Sequence, residues 1–581
     1  MHRPGDYPAA RGVAQGCAGR AGRDRRWSSV PPTQISPDTR KRLSLLAAIM
    51  GSFVALLDST VVNVALPAIE QDLGGGLAGQ QWVVNAYLLV LGSLILVGGR
   101  LGDVFGERKV FSLGVAGFGV SSLLCALAPS IEVLVGARAL QGAFGALLTP
   151  SALAVIVSTY APSERGAAIG SWTAWTGIAA VAGPLGGGLI IDQASWRWIF
   201  AINIPFVIAT LVLIAIAVPQ RPLAGKRPSV DWLGAVLCAL GLAGPVYGLI
   251  RQPELGWTAP GVVVPFVGGF VLLGLFLLHE ARTPEPMLPL GLFKRRNFAI
   301  GNAETLTMYA GLSVLFFFLI LFLQQVAGWS ALHAGLAMLP TTLVMFLLSR
   351  YTGRLADRYG PRAFMGGGPL IAAGGLLLLQ RVGANPDYVT EVLPGLLVFS
   401  LGLSLTVAPL TATVLADADE RNAGIASGVN NAIARVASLL GVAAIGAVVA
   451  AQFTSSLDRS VDVRALSPGG QAALRQAQTQ TLAKVVPRGL PAAEQKTIAQ
   501  ATEDASVAAF HLGLGIAAVL VAGGGVLGLV GIANPKRYVC AAECAGGQLA
   551  GAPREAARPV APAPVAAAPA AAARPAAARG H

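Results

Sequence analysis

Charge is scarce in this chain: only 12% of its 581 residues are Asp, Glu, Lys or Arg, where a water-soluble domain usually carries about 25%. That shortage argues against an ordinary soluble enzyme. Whole-chain disorder is excluded by the opposite excess, 54% hydrophobic residues, because disorder needs low hydrophobicity. Cysteine is sparse as well. Cys17, Cys125, Cys238, Cys540 and Cys544 are scattered, and neither a disulfide framework nor a zinc pattern follows from them. The histidines are equally dispersed, and no H-E-x-x-H, G-x-S-x-G or G-x-x-x-x-G-K-[ST] pattern occurs. The sequence therefore offers no catalytic constellation, no metal site and no direct use of ATP. Filter loops and charge rings of the kind that line channels are also lacking.

What the chain has is apolar runs of bilayer-crossing length, roughly 20 residues each. Fourteen can be placed between Leu43 and about residue 532, which predicts an all-α polytopic membrane protein. The runs are too long, and too poor in alternation, for barrel strands. Residues 1–42 read as a disordered cytoplasmic tail, 43–218 as a six-helix half, 219–297 as an inserted helix pair with linkers, and 298–532 as a second six-helix half. Within the last, 452–507 reads as a polar extracytoplasmic connection with a short amphipathic helix near 470–485. Residues 533–581, Ala/Pro-rich, read as a second disordered tail.

The net charge of +13 is better explained by membrane topology than by nucleic acid. Basic residues crowd one set of connections, among them Arg100, Arg108, Lys109, Arg165, Lys294, Arg295, Arg296, Arg350, Arg354, Arg358, Arg362 and Arg421. The other set holds Arg197, Arg251 and Arg381. The crowded set is cytoplasmic by the positive-inside rule, so both termini are expected inside a plasma or inner membrane.

Two connections repeat a pattern. Gly99-Arg100-Leu101-Gly102-Asp103-Val104-Phe105-Gly106-Glu107-Arg108 follows the second run, and Gly353-Arg354-Leu355-Ala356-Asp357-Arg358-Tyr359-Gly360 follows the tenth. Such internal repeats are a transporter feature. Glycines permit a tight turn there, and a carboxylate at a helix end pairs with basic groups or caps a helix. These residues are expected to act in conformational gating.

This loop resembles the signature of the major facilitator superfamily. Further matches are Arg138-Ala139-Leu140-Gln141-Gly142 in the fourth run and Gly183-Pro184-Leu185-Gly186-Gly187-Gly188 in the fifth, preceded by Gly170, with Ala179 in place of a usual Gly. Leu57-Asp58-Ser59-Thr60-Val61-Val62-Asn63 and Trp196-Arg197-Trp198 with Asn203 are similar to the fourteen-helix drug:proton antiporters. The first loop departs from the signature at Val104 and Glu107. The resemblance implies a major facilitator fold, two six-helix halves plus two inserted helices, acting as a proton-coupled exporter of drug-like cations or amphipaths. It implies no cofactor beyond the proton gradient. The expected partners are small-molecule substrates, protons and membrane lipids, with no nucleic acid, and the protein is expected to be a monomer. The alternatives weighed are a dedicated exporter of one endogenous metabolite and, distantly, a membrane sensor or enzyme. In span 5, Pro184 is expected to kink the helix, and its small neighbours to admit a close helix.

Four ionisable residues fall inside spans: Asp58, Arg138, Glu304 and Arg435. Each costs roughly 2.5–3.5 kcal/mol at a span centre, so each is expected to pair, to face a cavity or both. Asp58 and Arg138 come out at similar depth from a rise of about 1.5 Å per residue, which makes a pair feasible. These four are the candidate proton and substrate coupling residues. No residue is a candidate for covalent catalysis.

Overall fold

The computed structural model describes residues 36–220, 230–284, 286–416 and 423–534. Most of both expected tails, with Cys17, Cys540, Cys544 and Arg421, lies outside the described residues. The first half is built from α1 (Pro37–Leu73), α2 (Gly76–Phe105), α3 (Glu107–Ala126), α4 (Ile131–Thr159), α5 (Pro162–Gly177), α6 (Ala179–Gln193), α7 (Trp198–Ala201) and α8 (Asn203–Ala217). The inserted pair is α9 (Trp232–Leu255) and α10 (Pro260–Arg282). The second half comprises α11 (Arg296–Gln325), α12 (Ala331–Ala337), α13 (Leu339–Tyr359), α14 (Pro361–Leu378), α15 (Leu393–Ala416), α16 (Ala423–Ser460), α17 (Pro468–Gln478) and α18 (Ala492–Gly531). No strand occurs among the described residues.

Among the described residues, fourteen helical segments are long and apolar enough to cross a membrane, and they coincide with the fourteen runs of the sequence. This is an integral, multi-pass membrane protein. The near face is the one from which α1 starts, the far face the one at which it ends. Helix starts are set by small polar side chains that accept otherwise orphan amide hydrogens. Ser36 accepts from Thr39 N, Ser130 from Val133 N, Asp231 from Gly234 N and Ser330 from His333 N.

Three of the described spans are broken, two of them beside a proline. Pro205 and Pro340 lack the amide that would bond four residues back; their helices restart after Ile202 and Met338. Pro184 lies inside α6, and the break in span 5 falls earlier, at Ile178, whose amide bonds Trp175 O. That break lies next to Gly177, the weakest helix former apart from proline.

Two helices exceed expectation. α16 and α18 have 38 and 40 residues, about 57–60 Å at 1.5 Å per residue, against a hydrocarbon core of about 30 Å. Both therefore project beyond the far face. The expected polar connection over 452–507 is helical at both ends, and its non-helical part shrinks to the segments around α17. This cap is tied by Lys484–Glu503 at 2.6 Å and by Glu494, which accepts from Ser467 N and Oγ at 3.2 and 2.8 Å. The first helix likewise starts at Pro37, inside the expected tail, because Ser36 caps it.

The halves touch toward the far face. Gln324 Nε2 donates to Val64 O at 3.0 Å, and Gln81 Nε2 to Val442 O at 3.0 Å. Asp192, at the end of α6, accepts from the amides of Ala331 and Leu332 at 3.0 Å each. That carboxylate sits at the positive end of α12, where anions are favoured.

Candidate functional site

The first half encloses a network around Asp58, which is 0% exposed. The residue lies mid-way along α1 on the face turned toward α3, α4 and α8. Its Oδ2 accepts from Arg138 Nη1 at 2.5 Å. Its Oδ1 accepts from Gln141 Nε2 at 2.9 Å and Asn203 Nδ2 at 3.1 Å. Arg138, also buried, donates through Nη1 to Gln141 Oε1 at 2.7 Å and through Nε to Val83 O at 3.1 Å. Its guanidinium lies 4.3 Å from the centroid of the Tyr87 ring. Ser122 Oγ accepts from Asn203 Nδ2 at 2.9 Å and donates to Phe200 O at 3.0 Å.

A buried ion pair is expensive because both charges leave water. Here the cost is offset by hydrogen bonds to both carboxylate oxygens and by the Tyr87 face, a cation–π contact. The spacing of Arg138 and Gln141, three apart on α4, lets both reach Asp58. The pair and its hydrogen bonds join α1 to α4.

The expected pairing of Asp58 with Arg138 is therefore present. The other two candidates lie elsewhere. Glu304 is buried in α11 against α18. Arg435, half-buried in α16, lies with its Cβ 3.2 Å from where a Cβ on Gly92 would stand. It thus faces α2 of the opposite half. Its neighbour on α16, Asn430, donates to Asn302 and Thr305 of α11 at 3.1 and 2.8 Å.

Sequence reasoning missed Gln141, Asn203, Ser122 and Tyr87 as members of the network. Gln141 lies in the Arg138–Gly142 motif and Asn203 beside the Trp196–Trp198 motif, and both stand out as polar residues in apolar spans. Ser122 and Tyr87 carried no such signal.

The repeated loops have one geometry. Gly106 and Gly360 have φ of 92° and 94°, the left-handed region open to glycine, and each amide bonds four residues back, to Gly102 O and Ala356 O. Two residues on, Arg108 Nη2 donates to Ala215 O at 3.0 Å and Arg362 Nε to Leu529 O at 2.5 Å. Arg354 and Arg358 lie over the Tyr351 and Tyr359 rings, at 4.9 and 5.5 Å. Gly99 and Gly353 pack within 3.8 Å of Pro150 and Ala408 if given a Cβ. The side chains of Asp103 and Asp357 lie outside those described.

In span 5 the small residues divide by partner. A Cβ on Gly183 would come within 2.1 Å of Thr60 Oγ1, and one on Gly187 within 2.1 Å of Val61 Cγ2, both on α1. A Cβ on Gly188 would come within 2.6 Å of the Leu332 backbone in the other half, and Gly335 of α12 meets Pro184 O in the same way, at 2.5 Å. A Cβ on Gly170 would meet no atom within 4 Å among the described residues. Trp196 Nε1 donates to Asp72 at 3.0 Å, while Arg197 pairs with Asp72 and donates to Ala128 O at 3.2 Å. The tryptophan–arginine motif thus ties α1 to the end of α3 at the far face. A cleft of about 460 Å³ lined by Trp329, His333 and Tyr388 opens at the far face of the second half, away from the Asp58 network.

Residues 48–442 match the family model described as Major Facilitator Superfamily. Among relatives, the chain is 35% identical to a probable actinorhodin transporter of Streptomyces coelicolor, over 73% of this chain and 75% of that one. It is 37% identical to a puromycin resistance protein of Streptomyces alboniger, over 71% and 82%. It is 32% identical to the multidrug resistance protein Stp of Mycobacterium tuberculosis, over 72% and 77%. Among solved structures, a bacterial homolog of the human lysosomal transporter Spinster superposes with a TM-score of 0.59 at 17% identity, covering 86% of this chain and 99% of that one. A D-xylose–proton symporter superposes with a TM-score of 0.51 at 13% identity, covering 70% and 90%. Two repeated halves, the paired glycine–arginine turns and these matches agree: the chain belongs to the major facilitator superfamily.

Proposed function

We propose that this protein is a proton-coupled exporter of drug-like amphipathic or cationic compounds, acting as a monomer in the lipid of the cell membrane. The near face is cytoplasmic, which puts both termini inside; the crowding of basic residues on near-face connections supports this. The first six-span half rocks against the second around a central path, with α9 and α10 as an inserted pair. Asp103, Asp357 and the arginines beside them gate the near face.

The observation that carries the reading is the closed Asp58–Arg138 network. When Asp58 is ionised, Arg138 binds it and α1 is held to α4. A proton arriving from outside neutralises Asp58, frees Arg138 to Val83 O, Gln141 and Tyr87, and changes the cost of that helix arrangement. A cationic substrate competes with the proton for the same carboxylate. Arg435, facing α2 across the halves, adds a positive charge whose surroundings change as the halves move.

The test is transport by the full chain in proteoliposomes under an imposed pH gradient, with a panel of cationic dyes and antibiotics. Uphill accumulation of several unrelated compounds, collapsing with the pH gradient, is the expected result. Accumulation insensitive to the gradient would overturn the proton coupling. A second reading, export of one compound made by the cell, is favoured by relatives named for actinorhodin and puromycin; transport of a single panel member would select it.

A further inference from the structure

Glu304 stands apart from the network above. It lies on α11 eight residues in from Arg296, about 12 Å from the near-face end at 1.5 Å per residue. It is 0% exposed, and among the described residues neither carboxyl oxygen has a hydrogen-bond partner. Its helix neighbours Asn302 and Thr305 turn toward Asn430 of α16, whereas Glu304 turns toward α18. There the chain has left room: a Cβ on Gly528 would stand 3.0 Å from Oε2, and one on Gly524 would stand 3.8 Å from Cγ. Met365 of α14 closes the other side, its carbonyl 2.5 Å from that same Gly528 position. The carboxyl thus occupies a groove between Gly524 and Gly528, one helical turn apart.

Among the described residues the charges around it are few. α18 has no ionisable residue from Leu512 to Gly531, α15 has none, α14 has Arg362 alone, and the mid-membrane part of α16 has Arg435. Arg362 and Arg296 are engaged at the near-face end of α18. Arg362 Nε donates to Leu529 O at 2.5 Å; Arg296 donates to Gly531 O and Val530 O at 2.6 and 2.9 Å. The acid sits one turn inside an arginine-bound helix end. An ionised carboxylate with no donor in such a place costs several kcal/mol, and a buried group of this kind takes a proton instead. Asp58 solves the same problem with an arginine and two amides; among the described residues Glu304 has neither.

We propose that Glu304 is a second proton-binding site, separate from the Asp58–Arg138 pair, loaded while the halves are closed at the far face. The proton on its carboxyl leaves to near-face water when α18 slides against α11, and the carboxylate left behind is then within the field of Arg296 and Arg362. The exporter would in this way exchange protons in both halves. The assignment rests on the antiport reading for its role in transport, but not for the bound proton itself.

Two measurements on the full chain in lipid nanodiscs test it, using wild type, Glu304→Gln and Asp58→Asn. Gln is isosteric with the protonated acid and, like it, carries no charge into the groove, so folding is preserved. Infrared spectra at neutral pH should show a protonated-carboxyl band that Glu304→Gln removes and Asp58→Asn keeps. Proton release on adding ethidium should fall in Glu304→Gln to about half of wild type, one proton of two. An unchanged carboxyl band in Glu304→Gln overturns the site. Equal proton release from wild type and Glu304→Gln overturns its role while sparing the antiport reading. No release from wild type overturns both.

Discussion

Arg108 and Arg362 occupy the same place in the two halves, each two residues after a left-handed glycine and each donating to a carbonyl at the end of its half's sixth span, Ala215 O and Leu529 O. The helix end is the negative pole, so a guanidinium is favoured there. Arg108→Ala should raise hydrogen exchange over the last turn of α8 alone, and Arg362→Ala over the last turn of α18 alone. Each removes about 1–2 kcal/mol of local stability. Sites this far apart should add independently. Exchange rising at both ends in either single variant would contradict the separate roles.

Gly188 and Gly335 set the closure at the far face. A methyl at Gly188 meets the Leu332 backbone and one at Gly335 meets Pro184 O, and backbone cannot turn aside as a side chain can. Gly188→Ala should shift the balance toward the far-open state by roughly 1–3 kcal/mol. A single cysteine placed at Gln324, in a cysteine-free background, should then react faster with an impermeant maleimide. Slower or equal labelling would show that the glycines do not limit closure.

Asp192 makes the polar part of the same closure. Asp192→Asn retains one acceptor oxygen but presents an NH2 group to the second amide of α12. The loss of one charge-assisted bond should cost about 1–2 kcal/mol. The same labelling should increase, less than for Gly188→Ala. Full protection of the probe in Asp192→Asn would assign the carboxylate to solvent rather than to the latch.

Near-face pH enters at Glu164, before span 5. The Lys41 ammonium, hydrogen-bonded at 2.9 Å, and then the Ala161 amide hold this carboxyl below the usual carboxylate range. A lowered folded value means the tie is present above it and is lost as pH falls through it. Lys41→Ala should move the Glu164 titration upward, read by carboxyl-carbon NMR. A titration that stays in place would assign the shift to the helix start alone.

The fold was legible because bilayer-crossing runs and charge asymmetry are properties of composition along the chain. Asp58 and Arg138 were legible as a pair for the same reason: charges inside apolar spans stand out, and depth follows from rise per residue. The rotation of each helix was not. Spans that are apolar all round do not record which face meets which neighbour, so Glu304 and Arg435 could not be told from partners of one site. Ser122 and Tyr87 were hidden because a hydroxyl in a membrane helix commonly satisfies itself on its own backbone, as Ser121 does at Gly117 O. The extensions of α16 and α18 escaped because their polar turns, 452–460 and 492–507, are helical outside the bilayer, where hydropathy is silent.

The central claim is that proton transport and substrate transport meet at Asp58. Asp58→Asn keeps the shape and can still hydrogen-bond Gln141 and Asn203, yet it cannot ionise, and Arg138 loses its counter-charge. Arg138 remains tied to Val83 O and Tyr87, so insertion and folding should persist. The deciding measurement is ethidium and proton flux in the same Asp58→Asn proteoliposomes under an imposed pH gradient. The account expects correctly inserted protein with uphill ethidium movement abolished and no ethidium-dependent proton flux. Uphill ethidium accumulation with matching proton flux in that variant would contradict it and make Asp58 a structural residue.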